Sequence, residues 1–130
     1  MKTTVKRLPY GNSNFGKIIE ENYAYVDKTR FIESLENEPN KNQFFIRPRK
    51  FGKSLFYSTL YHYYDLNRAS DFEKLFGGLY IGQHPTPKRN GYAMMQFNFS
   101  GLDTTSKERF TVSLSTGIKE SVRAFIDSYR

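Results

Sequence analysis

The sequence predicts an α/β fold in which helices flank a short sheet. Three observations carry that expectation. Phe44-Phe45-Ile46 is an apolar run that passes through a basic turn into a helix-forming stretch from Lys53. Residues 92–100 alternate, with Ala93, Met95, Phe97 and Phe99 on one face and Met94, Gln96 and Asn98 on the other; that is the period of a strand. Further on, Phe110, Leu114, Ile118, Val122, Phe125, Ile126 and Tyr129 recur at helical spacing. Strand, turn, helix, connection, strand and helix in that order suit an α/β sheet with right-handed crossovers.

The elements follow in chain order. Lys2 to Asn14 reads as irregular, punctuated by Pro9 and Gly11. Asn14 is placed to cap a short helix over Phe15 to Glu21. Tyr23 to Asp27 alternates and predicts a very short strand. A helix then runs from Lys28 or Thr29 to about Asn37, with Phe31, Ile32 and Leu35 on one face. A polar turn around Pro39 leads to Gln43–Ile46, read as a strand buried on both faces. The next helix spans Lys53 to Leu66, its broad face built from Leu55, Phe56, Thr59, Leu60, Tyr63 and Tyr64. Ser70-x-x-Glu73 is a capping-box pattern for a helix over Asp71 to Phe76, which Gly77-Gly78 ends. Leu79 to Ile81 reads as a brief strand or a packed loop, and Pro85 and Pro87 mark a loop up to Gly91. Thr105-x-x-Glu108 is a second capping box and opens the last helix, whose apolar stripe reads as core.

Composition narrows the function classes. A chain of 130 residues suits one domain over 1–130. Aromatic residues make up 17%, which argues against disorder. There is no cysteine, so disulfides and thiolate metal sites are excluded. Mean hydropathy is −0.68. No apolar run has the length of a membrane span, and no apolar segment follows the basic N-terminus, so the expected compartment is the cytoplasm. Net charge is +7, a balance that attracts phosphates, whether of nucleotides, nucleic acid or acidic partners.

Phosphate chemistry has a specific candidate here. Gly52, Lys53 and Ser54 fit the second half of G-x-x-x-x-G-K-[ST], between a strand-like run and a helix. Backbone N–H groups of a tight loop and a helix N-terminus concentrate positive potential. Lys53 would add a full charge near β- and γ-phosphates, and Ser54 a hydroxyl ligand for Mg²⁺. Arg47 stands where the first glycine falls, with Pro48 behind it. Arg47 must therefore enter the turn by a different backbone path. The candidate nucleotide-binding residues are Lys50, Phe51, Gly52, Lys53, Ser54 and Leu55. The competing reading is a solvated basic turn, formed by Lys41, Arg47, Arg49, Lys50 and Lys53.

Arg47-Pro48-Arg49-Lys50-Phe51-Gly52-Lys53-Ser54-Leu55 resembles the R-P-R-R-F-G-K-S-L signature of the AAA-ATPase-like family. Leu8-Pro9-Tyr10-Gly11, the block from Glu20 to Thr29, Leu75 to Gly82 and Phe97-Asn98-Phe99-Ser100 resemble other blocks of that family. The resemblance implies the N-terminal part of a P-loop NTPase sheet with flanking helices, incomplete within 1–130. It implies ATP and Mg²⁺ as ligands, and an oligomer as an option. It also implies a PD-(D/E)XK nuclease-like domain further along a longer chain, through which nucleic acid would be a partner. In related folds the segment ahead of the loop packs near adenine, which would place Tyr25 to Lys28 there; a helix start with a local ion pair is the alternative.

Turnover needs more than a phosphate cradle: a strand-end acid and a group that polarises water. Asp103 follows the 92–100 stretch, but a helix cap explains it more simply. His62 and His84 have no partners at metal-ligand spacing, and Ser54, Ser58 and Ser100 lack a His–Asp set. The expectation is a chain that binds nucleotide without hydrolysing it. The alternative is a nucleic-acid or protein-binding module that uses the basic loop without turnover.

Overall fold

The computed structural model describes residues 4–130, so Lys2 and Thr3 of the irregular N-terminal stretch lie outside the described residues. The chain divides into one unit up to Tyr92 and a second over Ala93–Arg130. The first unit carries α1 (Phe15–Glu20), α2 (Phe31–Asn37), α3 (Lys53–Tyr64), a 3₁₀ helix (Leu66–Asp71), α4 (Phe72–Phe76) and α5 (Tyr80–Gln83). The second carries α6 (Lys107–Ser128).

No sheet forms among the described residues, which corrects the α/β expectation. The one β-type pairing is an isolated parallel bridge between Asp65 and Tyr92. Residues 23–27, 43–46 and 93–100 are extended or irregular instead. Alternating or apolar sequence sets which way side chains want to face. A strand also needs a second backbone about 4.8 Å away to take its N–H and C=O groups. Phe44 and Ile46 are 90% and 86% exposed, the opposite of a strand buried on both faces. Leu79 to Ile81 likewise enters a helix rather than a strand, since α5 starts at Tyr80.

The core of the first unit joins Phe15, Ile32, Tyr63, Phe72, Leu75, Phe76 and Ile81. Asn14 caps α1 as its sequence predicts, its Oδ1 accepting from the Lys17 N–H at 3.1 Å. The Phe15 N–H donates to Ser58 Oγ at 3.0 Å, which docks α1 on α3. Phe15 then stacks on Phe76, with ring centroids 4.8 Å apart, and meets the His62 ring edge-on at 5.6 Å. The glycine at 16 leaves room for that imidazole, since a methyl group there would lie 2.7 Å from His62 Nε2.

α3 ends at Tyr64, two residues before its predicted end at Leu66. Residues 90–92 strap its C-terminus. Asn90 N–H donates to the Tyr63 carbonyl at 2.8 Å and Tyr92 N–H to the Tyr64 carbonyl at 3.0 Å. Asn90 Nδ2 donates to the Asp65 carbonyl at 2.8 Å. These bonds satisfy carbonyls that a helix end leaves open. Asp65, buried, turns its carboxylate to the Asn67 N–H at 3.1 Å and starts the 3₁₀ helix. That helix occupies Ser70, so the predicted capping box there does not form.

In the second unit, Ser106 rather than Thr105 caps α6; its Oγ accepts from the Arg109 N–H at 3.2 Å. Met94 N–H donates to Tyr129 Oη at 2.8 Å. No residue of α6 is buried, so the stripe read as core is a partly exposed face, with Ile118 40% and Ile126 46% exposed. No described helix is long and apolar enough to cross a membrane.

Candidate functional site

The loop between the extended 43–46 run and α3 has an unusual backbone. Lys50 and Gly52 take φ of 66° and 81°, while Phe51 between them does not take a positive value. Glycine adopts that region freely, but for lysine it costs about 1–2 kcal/mol. Where a right-handed residue precedes a left-handed one, successive N–H groups turn toward a common side, a concavity suited to an anion. Arg47 reaches the turn without a positive φ, so the left-handed step sits at Lys50 instead.

Gly52 is the N-cap of α3 and no side chain caps the helix. The first bond of the helix is donated by Phe56 N–H to the Gly52 carbonyl, at 2.9 Å. The N–H groups of Lys53, Ser54 and Leu55 precede it and point out of the helix end. The positive end of the α3 dipole adds to their potential.

Beside this loop lies a cavity of about 380 Å³, within the range of small-molecule sites. Its apolar wall comes from Phe31 and Leu35 of α2 and from Phe56, Tyr57 and Leu60 of α3, with Phe45 from the extended run. Its cations are Lys28, Arg47 and Lys53, and its one carboxylate is Glu38. None of these three cations is within 4 Å of a carboxylate among the described residues, and neither are Arg49 and Lys50.

Of the six candidate residues, the structure brings Phe51, Gly52 and Lys53 to the cavity. Lys50 and Ser54 are exposed on the loop and first helical turn. Leu55 turns the other way and packs against the core. Tyr25 points inward as well, its ring edge-on to Phe15 at 5.4 Å, and burial pushes its phenol above the usual range.

The apolar wall was hidden in the sequence as ordinary core. The signal was present as two i, i+4 pairs, Phe31/Leu35 and Phe56/Leu60, on helices either side of the basic loop. The approach of Lys28 to the loop had no local signal.

The other chemical candidates have defined structural tasks. Asp27 Oδ1 accepts from the Thr29 N–H at 2.8 Å and the Thr29 hydroxyl at 2.6 Å, and Oδ2 from the Tyr80 N–H at 2.7 Å. Burial opposes its charge, but these bonds hold its carboxyl below the usual carboxylate range. Asp103 closes the turn ahead of α6 by accepting from the Thr105 N–H and hydroxyl. His62 Nδ1 donates to the Ser58 carbonyl at 2.7 Å, and the His84 ring stacks on Tyr80.

The chain belongs to the family described as Predicted AAA-ATPase, which matches residues 9–130. An "Uncharacterized protein in vnfD 5'region" of Azotobacter chroococcum mcd 1 is similar, with 46% identity over 77 residues. That match covers 58% of this chain and 14% of the relative. No solved structure matches the chain.

Proposed function

We propose that the chain binds a nucleoside triphosphate, with its phosphates at residues 50–54 and the rest of the nucleotide in the adjoining cavity. One observation carries this reading: left-handed Lys50 and Gly52 shape the loop directly ahead of the uncapped N-terminus of α3. The loop N–H groups hold phosphate oxygens and Lys53 neutralises their charge. Among the described residues beyond its chain neighbours, a methyl group on Gly52 would meet only Lys28 Nζ within 4 Å, which leaves this side of the loop open to an incoming group. The residues also suit Mg²⁺. Ser54 supplies one hydroxyl, and a magnesium ion takes its remaining ligands from phosphate and water. A bound ion there would offset charge between the phosphates.

Lys53→Ala tests the assignment. A fluorescent ATP analogue titrated with Mg²⁺ should bind the variant roughly tenfold more weakly, the loss expected for a hydrogen bond to a charged group. The circular dichroism of the variant should be unchanged. Equal affinity in the two proteins would refute the site.

A second reading has its own support. Arg47, Arg49 and Lys50 form no ion pair among the described residues, and Phe44 and Phe51 are 90% and 63% exposed beside them. Cations with open aromatic rings suit single-stranded nucleic acid. Such binding would weaken steeply with salt and ignore Mg-ATP.

A further inference from the structure

We infer that Lys28 is a second phosphate-contacting ammonium, placed at the loop by a clasp on α5. The inference rests on the nucleotide reading above and extends it to a residue outside the loop. Thr29 is fully buried and Asp27 binds it through both its N–H and its hydroxyl. The same two side chains take up the first N–H groups of α5. Tyr80 N–H donates to Asp27 Oδ2 at 2.7 Å, and Ile81 N–H donates to Thr29 Oγ1 at 3.1 Å. Both neighbours of Lys28 are thus pinned, so its Cα is fixed and its side chain leaves toward the loop. A methyl group on Gly52 would lie 3.8 Å from Lys28 Nζ, and among the described residues no other heavy atom beyond the adjoining ones would come within 4 Å of it.

The electrostatics there are unfavourable without a ligand. Lys28, Lys53 and Arg47 line one cavity beside the positive end of α3, and none has a carboxylate within 4 Å among the described residues. Glu38 is the single acid on that lining. The clasp on Asp27 and Thr29 fixes where the Lys28 side chain starts, and its ammonium lies beside Gly52, where a polyphosphate would relieve the repulsion. Lys28 therefore serves the phosphates rather than the base.

The test compares Lys28→Met, Lys28→Arg and Lys53→Ala in the same chain. Displacement of a fluorescent ATP analogue is measured with Mg-ATP and with inorganic tripolyphosphate, and melting is followed without ligand. Lys28→Met should weaken both competitors by a similar factor, about tenfold. Its ligand-free melting temperature should be unchanged or higher, because a repulsive charge is gone. Lys28→Arg should keep most of the affinity. If Lys53→Ala loses affinity and Lys28→Met does not, the inference fails while the nucleotide reading stands. If Lys28→Met weakens ATP but not tripolyphosphate, the contact is to the nucleoside and the inference fails. A clear fall in its ligand-free melting temperature would assign Lys28 a structural role and overturn it. Binding that does not depend on Lys53 at all would overturn both.

Discussion

Replacing Lys50 by glycine and by alanine separates the backbone of the loop from its side chains. Lys50 holds φ at 66°. An L-residue there costs roughly 1–2 kcal/mol against the right-handed region. Both substitutions delete the lysine side chain. Only glycine also removes the Cβ that makes this torsion costly. Glycine brings an opposing effect of about 0.4–1 kcal/mol, through the freedom it adds to the unfolded chain. The balance leaves Lys50→Gly more stable than Lys50→Ala by about 0.5–1 kcal/mol. At an ordinary helix or strand position the order is reversed. For a chain of this size the difference is a shift of about 2–5 °C in the melting midpoint. Paired thermal melts by circular dichroism read it directly. Both variants should retain Mg-ATP affinity, because the proposed contact at this position is a backbone N–H. A glycine variant that melts below the alanine variant would refute the left-handed geometry at Lys50, and with it the concave loop.

Two further outcomes are expected from the core. A Cβ on Gly82 would overlap the Phe76 carbonyl oxygen, a backbone atom that cannot swing aside. Gly82→Ala should therefore cost about 3 kcal/mol or more, the upper part of the overpacking range, and urea titration should show it as a lowered midpoint. Burial holds His62 below its ordinary pKa, although its bond to the Ser58 carbonyl and nearby carboxylates act the other way. The folded state then resists protonation that the unfolded chain accepts. Stability from this group is complete above the ordinary histidine range and is lost as pH falls through the lower folded value. His62→Gln should flatten that part of a pH–melting profile; an unchanged slope would remove His62 as its source.

Local signals in the sequence were read correctly where the structure answers them locally. Asn14 caps α1, and α3 starts at Lys53 directly after the glycine. The misplacements came from competition between neighbours. Thr105 had the right spacing for a cap, but the carboxylate of Asp103, two residues back, takes its hydroxyl at 2.6 Å and leaves the cap to Ser106. The Ser70 box lost to the 3₁₀ helix that Asp65 initiates. That no sheet forms among the described residues was not legible, because alternation at 93–99 reports a preference of faces and says nothing about a neighbouring backbone. At the site, the glycine–lysine–serine core was visible as a motif. The i, i+4 pairs of the cavity wall were visible too, but that they face one cavity, and that Lys28 lies beside Gly52, depends on long-range packing that no local pattern encodes.

The hydrogen bonds from Tyr80 and Ile81 to Asp27 and Thr29 join two stretches 52 and 53 positions apart in sequence. The helix they hold is only four residues long, from Tyr80 to Gln83. Such a helix is too short to persist by itself, so it draws its order from the core contact of Ile81 and from the 27–29 turn. Should that turn open, α5 would lose the bonds of its first two N–H groups, and the ammonium of Lys28 would be free to drift from the loop. Amide exchange at Tyr80 and Ile81 would then report how firmly the turn beside Lys28 is held. A substitution on α5 becomes a means of setting how long Lys28 stays beside the loop.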